Sequence, residues 1–172
     1  MKHHPTGPVR AAGVILLHAA SVLRVEAANE QAASETAPIG VVYGRGQRPQ
    51  SFLIMRHADR WDWPKGHCDG NETFLETAIR ETQEETGIGI RDFCLDPDFE
   101  FDLHYAVTGG KSAAKKHDKL VRYFLGWIEH QPEIMLSEHV GYEWRNWSPP
   151  HSIQDQTIDP LLAAVEQFLS GV

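Results

Sequence analysis

The chain has 172 residues, enough for one domain with a substantial core and too few for two ordinary ones. Apolar content of 41% and charged content of 23% are those of a soluble globular protein. The net charge of −8 argues against a broad basic surface that holds DNA or RNA, but not against an anionic substrate, because a metal and a few local cations can reverse the field inside a cleft. The two cysteines, Cys68 and Cys94, make neither a CxxC pair nor a disulfide framework, and the histidines do not join them at zinc-ligand spacing. A reducing, cytoplasmic setting is expected.

Arg10 precedes an apolar stretch, Ala11 to Leu23, broken by His18 and Ser21 and followed by a small polar run, Glu26 to Ala37. The stretch is too short to span a membrane. It reads as a signal-like segment, a loosely attached helix, or sequence ahead of a misassigned start. Each reading makes residues 1–36 an extension and residues 37–172 the domain. Ile39 to Tyr43 then reads as a first strand, Ser51 to Arg56 as a second, with a Gly- and Pro-bearing loop between them. Trp61 to Gly70 is loop-like. Thr73, with Glu76 three residues on, forms a capping box, and Gly87 supplies the left-handed stop, so a helix is predicted over Phe74–Thr86.

Phe99 to Val107 alternates as a strand does, and Gly109 to Lys119 reads as a basic loop. Leu120 to Glu129 is a strand with Val121, Tyr123, Leu125 and Trp127 on one face. Trp144 to Trp147 is a short strand, and Leu161 to Leu169 a closing helix. Strands on both sides of a central helix, with a helix at the end, predict an α/β or α+β sandwich.

The central helix carries the candidate chemistry. At 100° per residue, Leu75, Ala78, Ile79 and Thr82 share a packing face. Glu81, Glu84 and Glu85 fall within an arc of about 100° beside it. Like charges at this spacing destabilise a helix by a few tenths of a kcal/mol per pair, and a divalent cation offsets that repulsion. Hard carboxylate oxygens without Cys or His neighbours suit Mg²⁺, or Mn²⁺, rather than zinc. A short Glu-rich pattern is more often a solvated face, so the flanking residues decide the matter.

Those residues run Gly66, Glu72, Arg80, Glu81, Glu84, Glu85, Gly87 and Ile88, at spacings that resemble the Nudix box GX5EX7REUXEEXGU, where U is apolar. Thr82 is the single departure, at U, on the packing face. The flanks Trp63-Pro64-Lys65-Gly66-His67, Lys119-Leu-Val-Arg-Tyr123 and Leu136-Ser-Glu138-His139-x-x-Tyr142-x-Trp144 are similar to the animal-type asymmetric diadenosine tetraphosphate hydrolases of that family. The resemblance spans residues 38–170.

The resemblance implies an αβα sandwich, a mixed sheet between helices with the box as loop–helix–loop. It implies Mg²⁺-dependent in-line attack of water on a polyphosphate, yielding ATP and AMP from diadenosine tetraphosphate. Glu81, Glu84, Glu85 and the Gly66 carbonyl would hold metal, with Glu138 as the distal candidate. Glu81 or Glu85 would take the proton. Arg80 would grip a carboxylate in bidentate fashion, and Glu72 would fasten the loop, with Arg80 its expected partner. Lys65 and Lys119 are candidate phosphate contacts, and His67 a candidate substrate contact. Trp63, Tyr123 and Tyr142 are candidate stacking partners for adenine, whereas Trp127 and Trp144 are assigned to the core. Lys111, Lys115 and Lys116 are read as solvated. The expected partner is a nucleoside polyphosphate, with no DNA and no membrane, acted on by a monomer. The alternatives are an RNA 5′-end pyrophosphohydrolase, a hydrolase of nucleoside triphosphates or diphosphoinositol polyphosphates, and a non-catalytic nucleotide-binding protein.

Overall fold

The computed structural model describes residues 8–22, 48–108 and 116–171. Val9–His18 forms β1, buried along nearly its whole length. On one side β1 pairs antiparallel with β2 (Ser51–Arg56) and β4 (Lys65–His67). On the other it runs parallel to β6 (Lys116–Ile128), from Val9 opposite Lys119 to His18 opposite Ile128. β3 (Trp61–Asp62) and β7 (Gly141–Asn146) pair antiparallel with β2, and β5 (Cys94–Thr108) closes the far edge against β6. The main path is β3-β2-β1-β6-β5, a mixed sheet as expected.

The expectation that residues 1–36 form an extension is corrected for Val9–His18, which lie inside the sheet. The apolar stretch is the strand on which the sheet is assembled. Ala11, Ile15 and Leu17 face one core with Leu161, Leu162 and Val165 of α2 (Asp159–Ser170). Ala12, Val14 and Leu16 face another with Ala78 of α1 (Phe74–Thr86). A strand covered on both faces needs apolar side chains in both directions, so it loses the polar alternation of a half-buried strand. That continuous apolarity is what made it look like a leader. Gly13 is required at its place, since a Cβ there would lie 2.2 Å from the Pro64 carbonyl oxygen. The two cores make the molecule a helix–sheet–helix sandwich.

Helix α1 matches its predicted bounds, and both halves of the capping box form: Glu76 N–H donates to Thr73 Oγ1 at 3.2 Å, and Thr73 N–H to Glu76 Oε2 at 2.8 Å. Gly87, at φ 79°, ends it. Ala78 and Thr82 are fully buried, so the mismatch in the box does lie in the core. Strands β5, β6 and β7 start earlier than predicted, at Cys94, Lys116 and Gly141. Lys116 and Lys119 therefore belong to a strand and not to the basic loop. Ile39–Tyr43, the boundary at residues 36 and 37, Lys111 and Lys115 lie outside the described residues. No helix of the described residues is long and apolar enough to cross a membrane.

The placement of β1 is testable. Ile15→Ala should lower unfolding free energy in urea by about 2–5 kcal/mol, the cost of a cavity in a packed core. In a detached segment the same change would cost under about 0.5 kcal/mol.

Candidate active site

The loop from Lys65 to Glu72 and helix α1 are joined by one guanidinium. Arg80 grips Glu72 with two bonds, Nε to Oε1 at 2.8 Å and Nη2 to Oε2 at 2.9 Å. The same Nη2 donates to the His67 carbonyl at 3.0 Å. Glu72 also accepts from Asp69 N–H at 3.0 Å and from Thr77 Oγ1 at 2.9 Å. The Arg80 bonds, then the Asp69 bond, hold the Glu72 carboxyl down at about 2. Both the bidentate grip and the loop fastening predicted from sequence are present.

Arg80 Nη1 turns to the carboxylate row, donating to Glu81 at 2.9 Å and to Glu84 at 3.0 Å. So part of the repulsion in the row is offset by this chain's own cation. The three glutamates differ in burial: the Glu84 side chain is 58% exposed, that of Glu81 14%, and Glu85 is buried. Glu81 lies against Gly66, where a Cβ would come within 2.0–2.2 Å of its carboxylate. Only glycine leaves that room. Partial burial raises the Glu81 carboxyl, against the pull of Arg80, and Glu84 and Glu138 add to the rise. Glu138 is thus within electrostatic reach of Glu81, on an exposed loop tied to α1 by Met135 N–H to Thr86 O at 3.0 Å. Glu85 accepts from Lys65 N–H at 2.8 Å, and burial pushes its carboxyl up to about 7.

The donors are all hard oxygens, so the residues fit a hard divalent cation by their chemistry. Among the described residues no three His, Cys, Asp or Glu side chains form a preassembled metal-holding group. Arg80 bridges Glu81 and Glu84 instead, and a bound cation would have to draw them away from it.

Beside this row opens a cleft of about 800 Å³ lined by Arg60, Asp62, Lys65, Tyr105, Lys119 and the Gln154–Thr157 loop. Lys65 and Lys119, both predicted, are brought together there. Burial and the Lys65 charge lower the Lys119 ammonium. His67 stands at the surface, its imidazole lowered by partial desolvation and then by Lys119 and Lys65.

Two of the three aromatic candidates need correction. Trp63 and Tyr123 are fully buried in the α2-side core, with Trp63 Nε1 bonded to the Thr157 carbonyl at 3.1 Å, so neither offers a ring face to a ligand. Tyr142, opposite Met55 on β2, is half-buried against the α1-side core. Trp127 is buried and Trp144 packs on the core, as expected. The ring in the cleft is Tyr105, which sequence reasoning missed. It sits on the alternating face of β5 opposite Lys119, a pairing that only the register of β5 on β6 reveals.

A sandwich of this topology, with a glycine loop and a Glu-rich helix in its middle, defines a class. Residues 33–167 match the NUDIX domain family, and the chain belongs to it. β1 lies ahead of the matched residues yet inside the sheet. The rat bis(5′-nucleosyl)-tetraphosphatase [asymmetrical] is 41% identical over 98 residues, covering 54% of this chain and 62% of that one. The Caenorhabditis elegans protein of the same name is 29% identical over 136 residues, 76% of this chain and 94% of that one. The solved C. elegans Ap4A hydrolase binary complex aligns over 95% of this chain and 99% of its own, with 25% identity and a TM-score of 0.66. The chain thus spans about three-fifths of the rat relative and nearly all of the nematode one.

The raised Glu85 carboxyl gives a signed prediction for the cation-free protein. Between its ordinary value near 4.5 and about 7, the folded state keeps a proton that the unfolded chain has lost. Glu85 therefore costs stability increasingly as pH rises through that window. In EDTA at pH 8, Glu85→Gln should be more stable than the parent by about 1–3 kcal/mol, and at pH 4 the two should melt alike. A pH-independent difference in denaturant titrations would contradict this.

Proposed function

We propose that the protein is a pyrophosphohydrolase that cleaves diadenosine tetraphosphate asymmetrically with water to ATP and AMP. The observation that carries this is the double attachment of Lys65, whose N–H bonds Glu85 in the carboxylate row and whose side chain lines a cleft with Lys119, Arg60 and Tyr105. The names of the rat and nematode relatives support the same substrate class.

Glu81, Glu84, Glu85 and the Gly66 carbonyl would hold Mg²⁺, or Mn²⁺, with Glu138 as the distal ligand. When bound, the cation supplies electrostatic stabilisation of the charge that builds on the leaving polyphosphate. The residues of the chain do the rest. Lys65 and Lys119 hold the phosphate chain from the cleft side. Arg80, fixed by Glu72, keeps the loop against the helix so that Gly66 stays beside Glu81. Water attacks phosphorus in line, and Glu81 or Glu85 takes its proton. Tyr105 offers a flat face to adenine, an interaction worth about 1–3 kcal/mol per base. The aromatic ring beside cations favours a nucleotide over a diphosphoinositol polyphosphate, which has no base to stack.

The test is a panel of dinucleoside polyphosphates, nucleoside triphosphates, capped and triphosphorylated RNA and a diphosphoinositol polyphosphate, with products separated by chromatography. ATP plus AMP from the tetraphosphate, faster than any other turnover and abolished by EDTA, is expected. Faster turnover of RNA ends would overturn the reading. Glu81→Gln and Glu85→Gln should each lower kcat by about 100-fold or more in folded protein, and near-normal rates in both would remove these residues from the mechanism.

A further inference from the structure

The cleft that would take an anionic chain contains a buried carboxylate that works against anion binding. Asp62 is 5% exposed, yet lies among Arg60, Lys65 and Lys119. Its Oδ2 accepts from Lys65 Nζ at 2.7 Å, and the two side chains are only 13% and 8% exposed. The same oxygen is 3.4 Å from His57 Nε2, and Oδ1 accepts from Trp63 N–H at 2.9 Å. Asp62 is also pinned as a strand residue opposite Met55. His57 is backed by the buried ring of His139 at 4.4 Å, so the carboxylate is fixed from its own strand and from behind.

A negative charge here weakens ground-state attraction for phosphate, so affinity does not explain it. Geometry does. Lysine carries its ammonium on a flexible four-carbon stem with three donors. One donor held by a rigid carboxylate fixes the direction of the other two. The main chain of Lys65 meanwhile donates to Glu85 Oε2 at 2.8 Å, so one residue touches both the cleft and the carboxylate row.

We propose that Asp62 is a positioning residue: by clamping Lys65 Nζ it aims the ammonium at the reacting phosphate and keeps it in register with Glu85. This rests on the reading above that Lys65 meets the substrate's phosphates. Binding strength and rate then separate. Removing the charge of Asp62 leaves ground-state binding unharmed or tighter, while turnover falls because Lys65 is no longer aimed.

The experiment compares Asp62→Asn, Lys65→Met and the double variant, each verified as folded by thermal melting. It measures kcat and KM on diadenosine tetraphosphate with Mg²⁺, and calorimetric titration of ATP in EDTA. Asp62→Asn is expected to lower kcat by about 10-fold or more, with KM and ATP affinity unchanged or improved. In the Lys65→Met background the same change should alter kcat by less than about twofold, because Asp62 acts through Lys65. Full kcat in Asp62→Asn, with Lys65→Met impaired, would overturn this proposal and leave the phosphate role of Lys65 standing. Weaker ATP binding in step with kcat, or an undiminished effect in the Lys65→Met background, would make Asp62 merely structural and overturn it too. Lys65→Met with normal kcat and ATP affinity would remove both roles. No turnover by the unaltered chain would sink the hydrolase reading, and this proposal with it.

Discussion

The Arg80 guanidinium sets the geometry on which the site depends. It closes the Lys65–Glu72 loop onto α1 through Glu72 and the His67 carbonyl, and it reaches Glu81 and Glu84 with the two N–H groups of its remaining nitrogen, Nη1. A planar fork suits this task, since lysine could not span three carboxylate groups and a carbonyl in fixed directions. With the loop closed, the Glu81 carboxylate lies against Gly66, and Lys65 N–H meets Glu85. Four acidic side chains can gather around one helix because this cation sits among them.

The sheet holds that assembly from beneath. β1 packs its even residues under α1 and its odd residues under α2, and Gly13 lets the Pro64–Lys65 backbone cross closely over it. The loop that presents Gly66 is itself strand β4, paired with Ala11, Ala12 and Gly13. The loop that carries Gly66 is thus built onto the same segment that the sequence seemed to set apart. The cleft borrows its far wall from the turn before α2, where Gln154 bonds both the N–H and the carbonyl of Trp61. The turn ahead of α2 is thereby fastened to β3 and lines the cleft beside it.

Local signals were legible where local physics decides the outcome. The capping box and Gly87 delimited α1 to the residue, and the spacing of Glu81, Glu84 and Glu85 placed them on one edge. The Glu72–Arg80 bond was expected because a carboxylate and a guanidinium at fixed box positions suit a bidentate pair. Strand aromatics were not legible. Tyr123 and Tyr105 both lie on alternating strands, and their fates differ only because Tyr123 points into a packed layer while Tyr105 lies at the open edge strand.

By itself, then, the sequence determined the helix and the carboxylate row, because capping and side-chain periodicity within some twenty residues suffice for these, while the place of Gly66 beside the row came from the resemblance of the box. Only the tertiary structure decided that Val9–His18 is a central strand, since burial on two faces erases the alternation by which a strand is recognised. It alone set Asp62 against Lys65 and Tyr105 opposite Lys119, because those contacts arise from strand pairing and from packing, which no local pattern encodes. The unequal burial of Glu81, Glu84 and Glu85 was decided there as well, and what is packed over Glu81 and Glu85 raises the carboxyls of those two.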